Sequence, residues 1–173
     1  MEIRLLRPGD DRTHFCSGDV SLDQFFKVYA GQNQFKHYLG VTYVAVQEGQ
    51  VLGYATVAPG QIHADELPAA KKIRTARYPV PILRLARLAV DRTVQQQGLG
   101  AQLLRYVLAL AANMADSFGC AGVVVDAKAT AVPFYRRYGF TEFEALSGAA
   151  DVRPMATPMF LGMRAIQAAM PRA

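Results

Sequence analysis

A chain of 173 residues that is 51% hydrophobic and 19% charged has the mass and composition to bury one folded core, which excludes a disordered or low-complexity chain. Two cysteines, Cys16 and Cys120, are too few for a disulfide framework, so free thiols in a reducing compartment are expected. The net charge of +5 favours an anionic partner. Charges at Glu2 and Arg4 leave no basic-then-apolar leader, and the longest apolar stretch, residues 107–112, is far short of a membrane span. A cytoplasmic protein with no membrane partner is expected.

Residues 2–6 read as a first strand, closed by Pro8-Gly9-Asp10. Ser21-Leu22-Asp23-Gln24 has the form of a capping box, with Ser21 as N-cap and Gln24 at N3. The helix it starts carries Leu22, Phe25, Phe26 and Tyr29 on one face and is predicted to run to about Tyr38, with Gly40 ending it. Strands over 42–47 and 51–58 follow, joined by the hairpin-type loop Glu48-Gly49-Gln50. The polar segment 59–81 then carries the densest basic cluster, Lys71, Lys72, Arg74 and Arg77, either a solvated loop or a contact surface for a polyanion.

Residues 82–90 are aliphatic apart from Arg84 and Arg87, as in a buried strand, and apolar residues from Leu103 to Phe118 recur with helical spacing until Gly119. A further buried strand is predicted over 120–126, a short helix over 131–138 and a strand turned back by Gly139 through Phe143. A loop over 145–157 and a last strand over 158–166 precede a frayed C-terminus. That order defines a mixed α/β layout, helices on a largely antiparallel sheet, in one domain over residues 1–173.

The loop over 91–100 ends in Gln95-x-x-Gly98-x-Gly100, directly before the long helix. A helix start presents unpaired N–H groups and the positive end of the helix dipole, and glycines let an anion approach them. A GxG of this kind also suits a simple tight turn. No GxGxxG with a following acidic residue is present and no Lys-Ser/Thr pair follows, so neither a Rossmann nor a P-loop site is supported.

LARLAVD followed by QQQGLGAQLL resembles the acetyl-CoA signature of the GNAT superfamily of N-acetyltransferases, Arg/Gln-x-x-Gly-x-Gly/Ala, with Gln95, Gly98 and Gly100 at its fixed positions. FYRRYGF, residues 134–140, resembles the FYxxxGF motif of the same superfamily. The resemblance implies the GNAT acyl-CoA N-acyltransferase fold, a mixed α+β sheet, with acetyl-CoA as co-substrate. Backbone groups of Leu88, Ala89 and Val90 would then fix its carbonyl and pantetheine. N–H groups of Gln96, Gln97, Gly98, Leu99, Gly100 and Ala101 would take the pyrophosphate, with Phe134 beside the cofactor. It makes Tyr135 the acid that protonates the departing thiolate, since a phenol titrating at about 10 keeps its proton at neutral pH. From the residue alone, Tyr135 is equally a core side chain on a short helix, the reading kept for Tyr138 and Phe140. His14, His37 and His63 have no ligand spacing, so no metal is expected.

Phe15-Cys16-Ser17-Gly18, Leu22-Asp23-x-Phe25, Ala30-x-Gln32, Tyr78-Pro79-Val80-Pro81 and Pro158-Met159-Phe160-Leu161 resemble the GNAT-type toxins of bacterial toxin–antitoxin systems. That resemblance implies aminoacyl-tRNA as acceptor and a small ribbon-helix-helix antitoxin as partner; a homodimer stays open. Lys71, Lys72, Arg74 and Arg77 are expected to contact phosphates, and Arg87 to lie near the acceptor. Strand alternation separates Arg87 from Arg84 unless a bulge intervenes.

The acceptor can also be argued from proton chemistry. A lysine amine titrating near 10.4 is only roughly 0.1% neutral at pH 7.5, whereas roughly a third of an α-amine is neutral there. The strand over 82–90 holds no Asp or Glu to act as base, which favours an α-amine, although Asp126, Glu142 or a water could serve. A small-molecule amine or a protein N-terminus is the alternative acceptor. A non-catalytic module that binds acetyl-CoA or an antitoxin is the alternative class.

Overall fold

The computed structural model describes residues 1–67, 79–143 and 156–170. Lys71, Lys72, Arg74 and Arg77, and most of the loop predicted over 145–157, lie outside the described residues. Seven strands form one sheet: β1 (Glu2–Leu5), β2 (Val41–Gln47), β3 (Gln50–Ile62), β4 (Val80–Val90), β5 (Gly122–Ala127), β6 (Thr141–Glu142) and β7 (Thr157–Gly162), ordered β1-β2-β3-β4-β5-β7-β6. The mixed α/β layout expected from the sequence is the one observed.

β1 pairs antiparallel with β2, and β2 with β3. Gln47 faces Gln50 across a two-residue turn whose central residues, Glu48 and Gly49, have φ of +51° and +80°. Two successive positive φ values define the type I′ turn that matches strand twist. β3 runs through the predicted end at Ala58 to Ile62, so Pro59-Gly60 lies inside the strand. β5 pairs antiparallel with β7, Val124 opposite Phe160, and β6 extends that ladder through Thr141 opposite Phe160.

The chain divides into two compact units, Met1–Ala58 with Leu85–Val107, and Pro59–Arg84 with Leu108–Ala173. The first unit holds an aromatic core. The Tyr54 ring lies 4.3 Å from Phe26, 5° off parallel, and meets Phe15 edge-on at 5.5 Å. Tyr54 and Phe26 are fully buried, each worth about 2–3 kcal/mol of transfer free energy. In the second unit Ile62, Val80, Ile82, Val124 and Phe160 form a separate apolar cluster.

The first helical segment departs from the prediction at both ends. Asp19, not Ser21, is the N-cap, its Oδ1 accepting the N–H groups of Ser21 and Leu22 at 3.0 and 3.1 Å. A carboxylate two residues upstream reaches the first free N–H groups better than the serine within the turn. Helix α1 (Val20–Gln24) passes into a π-helical turn (Phe25–Tyr29) and then α2 (Ala30–Phe35), ending three residues before Tyr38. The wider π turn brings the Phe26 carbonyl to the Arg12 guanidinium, which donates to it at 3.1 Å.

After β4 comes the long helix α3 (Leu99–Ser117), then β5 and α4 (Val132–Arg137). The last predicted strand is instead β7 followed by a helix, α5 (Met163–Ala169), with Ile166 buried. Met-Arg-Ala-Ile-Gln-Ala-Ala is rich in strong helix formers, and propensity prevails once the strand's pairing ends at Gly162. No helix among the described residues is long and apolar enough to cross a membrane.

Candidate active site

The end of β4 is fastened to the N-terminal segment by Asp91. Its buried carboxylate accepts the Cys16 N–H at 2.9 Å through Oδ2, and the Thr93 N–H and hydroxyl at 3.0 and 2.7 Å through Oδ1. Burial alone would raise this carboxyl; the hydrogen bonds from Cys16 and Thr93, with the Arg92 charge, outweigh it and hold the group below the ordinary carboxylate range. The Asp91 N–H donates to the Leu52 carbonyl at 2.8 Å and the Arg92 N–H to the Cys16 carbonyl at 2.8 Å. A single-turn 3₁₀ helix, Arg92–Val94, is capped by Asp91. Sequence reasoning gave Asp91 no role; the available signal was Asp-x-Thr, an Asx-turn pattern.

Gln95 closes the same junction. Its side-chain NH₂ donates to the Ser17 carbonyl at 2.8 Å and the Val90 carbonyl at 3.0 Å. The fixed glutamine of the motif therefore ties the loop to the strand end and the N-terminal segment. Gln97 donates to the Thr93 carbonyl at 3.4 Å. Both amides are thus spent on carbonyls of the protein, Gln97 within the loop itself.

Gln96 and Gly98 have φ of +61° and +87°, and the chain enters α3 at Leu99. Leu99, Leu103 and Leu104 are buried and seat the first turns of the helix. Gln96, Gln97 and Gly98 are exposed, Gly100 and Ala101 half-buried, and a Cβ on Gly98 would meet nothing within 4 Å. Open space at Gly98 before the start of a 19-residue helix suits an anion at the helix's first N–H groups, so these residues fit the pyrophosphate of coenzyme A. Of the strand positions expected beside the thioester, Leu88 and Val90 are half-buried and Ala89 is buried.

Arg87 lies on β4 with its guanidinium carbon 3.8 Å from the centre of the Phe25 ring. Arg84, on the same strand, is paired with Asp126 at 2.6 Å. The two arginines have different partners, as strand alternation predicts.

Tyr135 and Phe134 belong to the second unit, on α4. Tyr135 is buried, with Phe134 and Phe140 edge-on at 5.1 and 5.4 Å. Burial pushes its phenol well above the ordinary value, so the proton stays on at any physiological pH. Among the described residues its hydroxyl has no hydrogen-bond partner, while Phe134 is half-buried against Tyr138 at 5.2 Å. No three His, Cys, Asp or Glu side chains gather as a metal site among the described residues.

A mixed sheet whose fourth strand leads through a glycine loop into a long helix is the frame of an acyl-CoA-dependent acyltransferase. The chain belongs to the GNAT acetyltransferases: the acetyltransferase (GNAT) domain family matches residues 39–142. It is 36% identical over 126 residues to the tRNA-acetylating toxin of Mycobacterium tuberculosis (strain ATCC 25618 / H37Rv), covering 72% of this chain and 74% of that protein. In fold it resembles AtaT complexed with acetyl-methionyl-tRNAfMet, at a TM-score of 0.82 and 24% identity, covering 96% of this chain and 97% of that one. A structure of AtaTR bound with AcCoA aligns at a TM-score of 0.76 and 27% identity over 96% of both chains.

Proposed function

We propose that this acetyltransferase moves the acetyl group of acetyl-CoA onto the α-amine of an aminoacyl-tRNA, removing that tRNA from translation, and that an antitoxin restrains it. The observation that carries this reading is the 36% identity to a tRNA-acetylating toxin over 72% of the chain. The reading places the enzyme in the cytoplasm with its tRNA.

The chemistry of the described residues supports an α-amine. The two carboxylates that the sequence offered as bases are engaged by guanidiniums, Asp126 by Arg84 at 2.6 Å and Glu142 by Arg136 at 2.5 Å. An acceptor already substantially neutral needs no such base. Attack by the amine on the thioester carbon forms the C–N bond, the C–S bond breaks, the nitrogen loses a proton and the thiolate gains one. Tyr135 supplies that last proton from a phenol kept protonated by burial. Backbone N–H groups at the end of β4 are the donors for the developing oxyanion. Acetyl-CoA supplies the activated acetyl group, and the N–H groups over Gln96 to Ala101 hold its pyrophosphate.

Lys71, Lys72, Arg74 and Arg77 contact the tRNA backbone in this reading. Acetylation of a panel of aminoacyl-tRNAs, followed as N-acetyl product across a salt series, tests it. Wild type acetylates one or more of them and loses affinity steeply with salt, and Lys72→Glu with Arg77→Glu flattens that dependence. Acetylation of small amines with none on any aminoacyl-tRNA would remove the reading.

A further inference from the structure

Resting on that acceptor, we propose that Arg87 binds a backbone phosphate at the aminoacyl end of the tRNA, with Phe25 as the platform that fixes its guanidinium. Arg87 is half-buried, one residue before the strand positions expected beside the thioester, and its guanidinium sits 3.8 Å over the Phe25 ring. Among the described residues it makes no hydrogen bond and no ion pair. Among the described residues some other guanidiniums are engaged, Arg4 with Asp10 at 2.7 Å, Arg84 with Asp126, and Arg12 with the Phe26 carbonyl. Two acids near Tyr54, Asp19 and Asp23, are used by their own turns. Asp19 caps α1, and Asp23 accepts the Ser17 N–H and hydroxyl at 2.8 and 2.6 Å.

A half-buried cation without a counter-charge is a costly arrangement unless an anion arrives. The aromatic ring offsets part of that cost and covers one face of the guanidinium, leaving its coplanar N–H donors free at the edge. A planar fork of this kind matches a phosphate, which it can grip with two parallel hydrogen bonds. The platform is itself braced. Phe25 begins the π turn, its ring stacks on Tyr54 at 6.3 Å, and the Tyr54 hydroxyl donates to the Leu22 carbonyl at 2.8 Å. Arg12 ties off the Phe26 carbonyl of the same turn. The π turn thus has a purpose beyond packing: it sets Phe25 under Arg87.

The test compares two acceptors bearing one amino acid, the aminoacyl-tRNA and the amino-acid amide, which has the α-amine and no phosphate. In the full chain, Arg87→Gln raises KM for aminoacyl-tRNA about tenfold and lowers the slope of log(kcat/KM) against log salt by about 0.7–0.9, the loss of one phosphate contact. Its kcat/KM for the amide stays within about twofold of wild type, and acetyl-CoA affinity is unchanged. Arg87→Lys keeps the salt slope with an intermediate KM, because the charge remains and the fork is lost. Phe25→Leu also raises KM for the tRNA without changing the slope. Equal losses on both acceptors, or an unchanged slope in Arg87→Gln, overturn the assignment while leaving the tRNA acceptor standing. A wild type that acetylates the amide and no aminoacyl-tRNA overturns both.

Discussion

The Asp91 carboxylate accepts the Cys16 backbone N–H at 2.9 Å across 75 positions of sequence, joining the end of β4 to the segment that precedes α1. Because the same carboxylate accepts from Thr93, it also fastens the start of the loop that leads into α3. Asp91→Asn leaves the Cys16 N–H or the Thr93 donors facing an NH₂ group, at a cost of about 2 kcal/mol. The expected fall in Tm is about 4–8 °C. The sign of the pH effect follows from the depressed carboxyl: its stabilisation is complete above the unfolded-state value of about 3.9 and is lost as pH falls through the lower folded value. Thermal melts from pH 7 down to pH 3 should show wild type losing more stability below about pH 4 than Asp91→Asn. Parallel curves for the two proteins would deny Asp91 this role.

Gly100 lies in the first turn of α3, where the proposed reading seats the pyrophosphate of acetyl-CoA on backbone N–H groups. Gly100→Val puts a branched side chain at that approach while keeping helical backbone angles available. Acetyl-CoA affinity by calorimetry should fall about tenfold or more, equivalent to about 1.4 kcal/mol, with the circular dichroism spectrum retained. Unchanged affinity would assign the cofactor to some other surface.

How far the sequence alone could reach is clearest in unit one. The hairpin loop Glu48-Gly49-Gln50 was legible from its glycine between two apolar runs, although Gln50 belongs to β3 and the turn is one residue shorter, and a loop between β4 and α3 was legible from its polar residues and glycines. The π turn at Phe25–Tyr29 was not. Its apolar residues fit an ordinary α-helix, and the carbonyl that the π turn presents is met by a residue far off in sequence, Arg12, which donates to Phe26. Gln95 illustrates another limit. The motif marked the residue as cofactor-binding, whereas the coordinates give its side chain a tie to the Ser17 and Val90 carbonyls. At the C-terminus, the apolar run through Ile166 fits a strand or a buried helix face, and the loss of a pairing partner after Gly162 decides it.

Tyr135→Phe preserves the ring that packs against Phe134 and Phe140 and removes only the proton. kcat should fall about 10²–10⁴-fold while acetyl-CoA affinity stays at the wild-type value. Burial raises the phenol, so wild-type activity should rise as the acceptor α-amine deprotonates near pH 7.7–8.0 and show no decline attributable to Tyr135 by about pH 10. Single-turnover measurements check both statements, since they isolate chemistry from product release. A Tyr135→Phe enzyme with wild-type single-turnover rates would return Tyr135 to the core.

The absence of a required base is the most exposed part of the mechanism, and Asp126 is where it can be struck. Its carboxylate is paired with Arg84 at 2.6 Å, the pair being about a third and half exposed at its two side chains, so it is a surface ion pair of small energetic worth. Asp126→Asn should therefore change Tm by no more than about 2–4 °C, equivalent to about 1 kcal/mol. If no carboxylate base is needed, it should also leave kcat/KM for an α-amine acceptor within about threefold of wild type, with the same ascending pH limb. Glu142→Gln, which breaks the pair with Arg136, should behave alike. A general base would announce itself differently: the variant would lose about 10²-fold or more near pH 7.5 and recover toward wild type at high pH, where the amine is neutral without help. That recovery in either variant would identify the base and reopen lysine-like amines as acceptors.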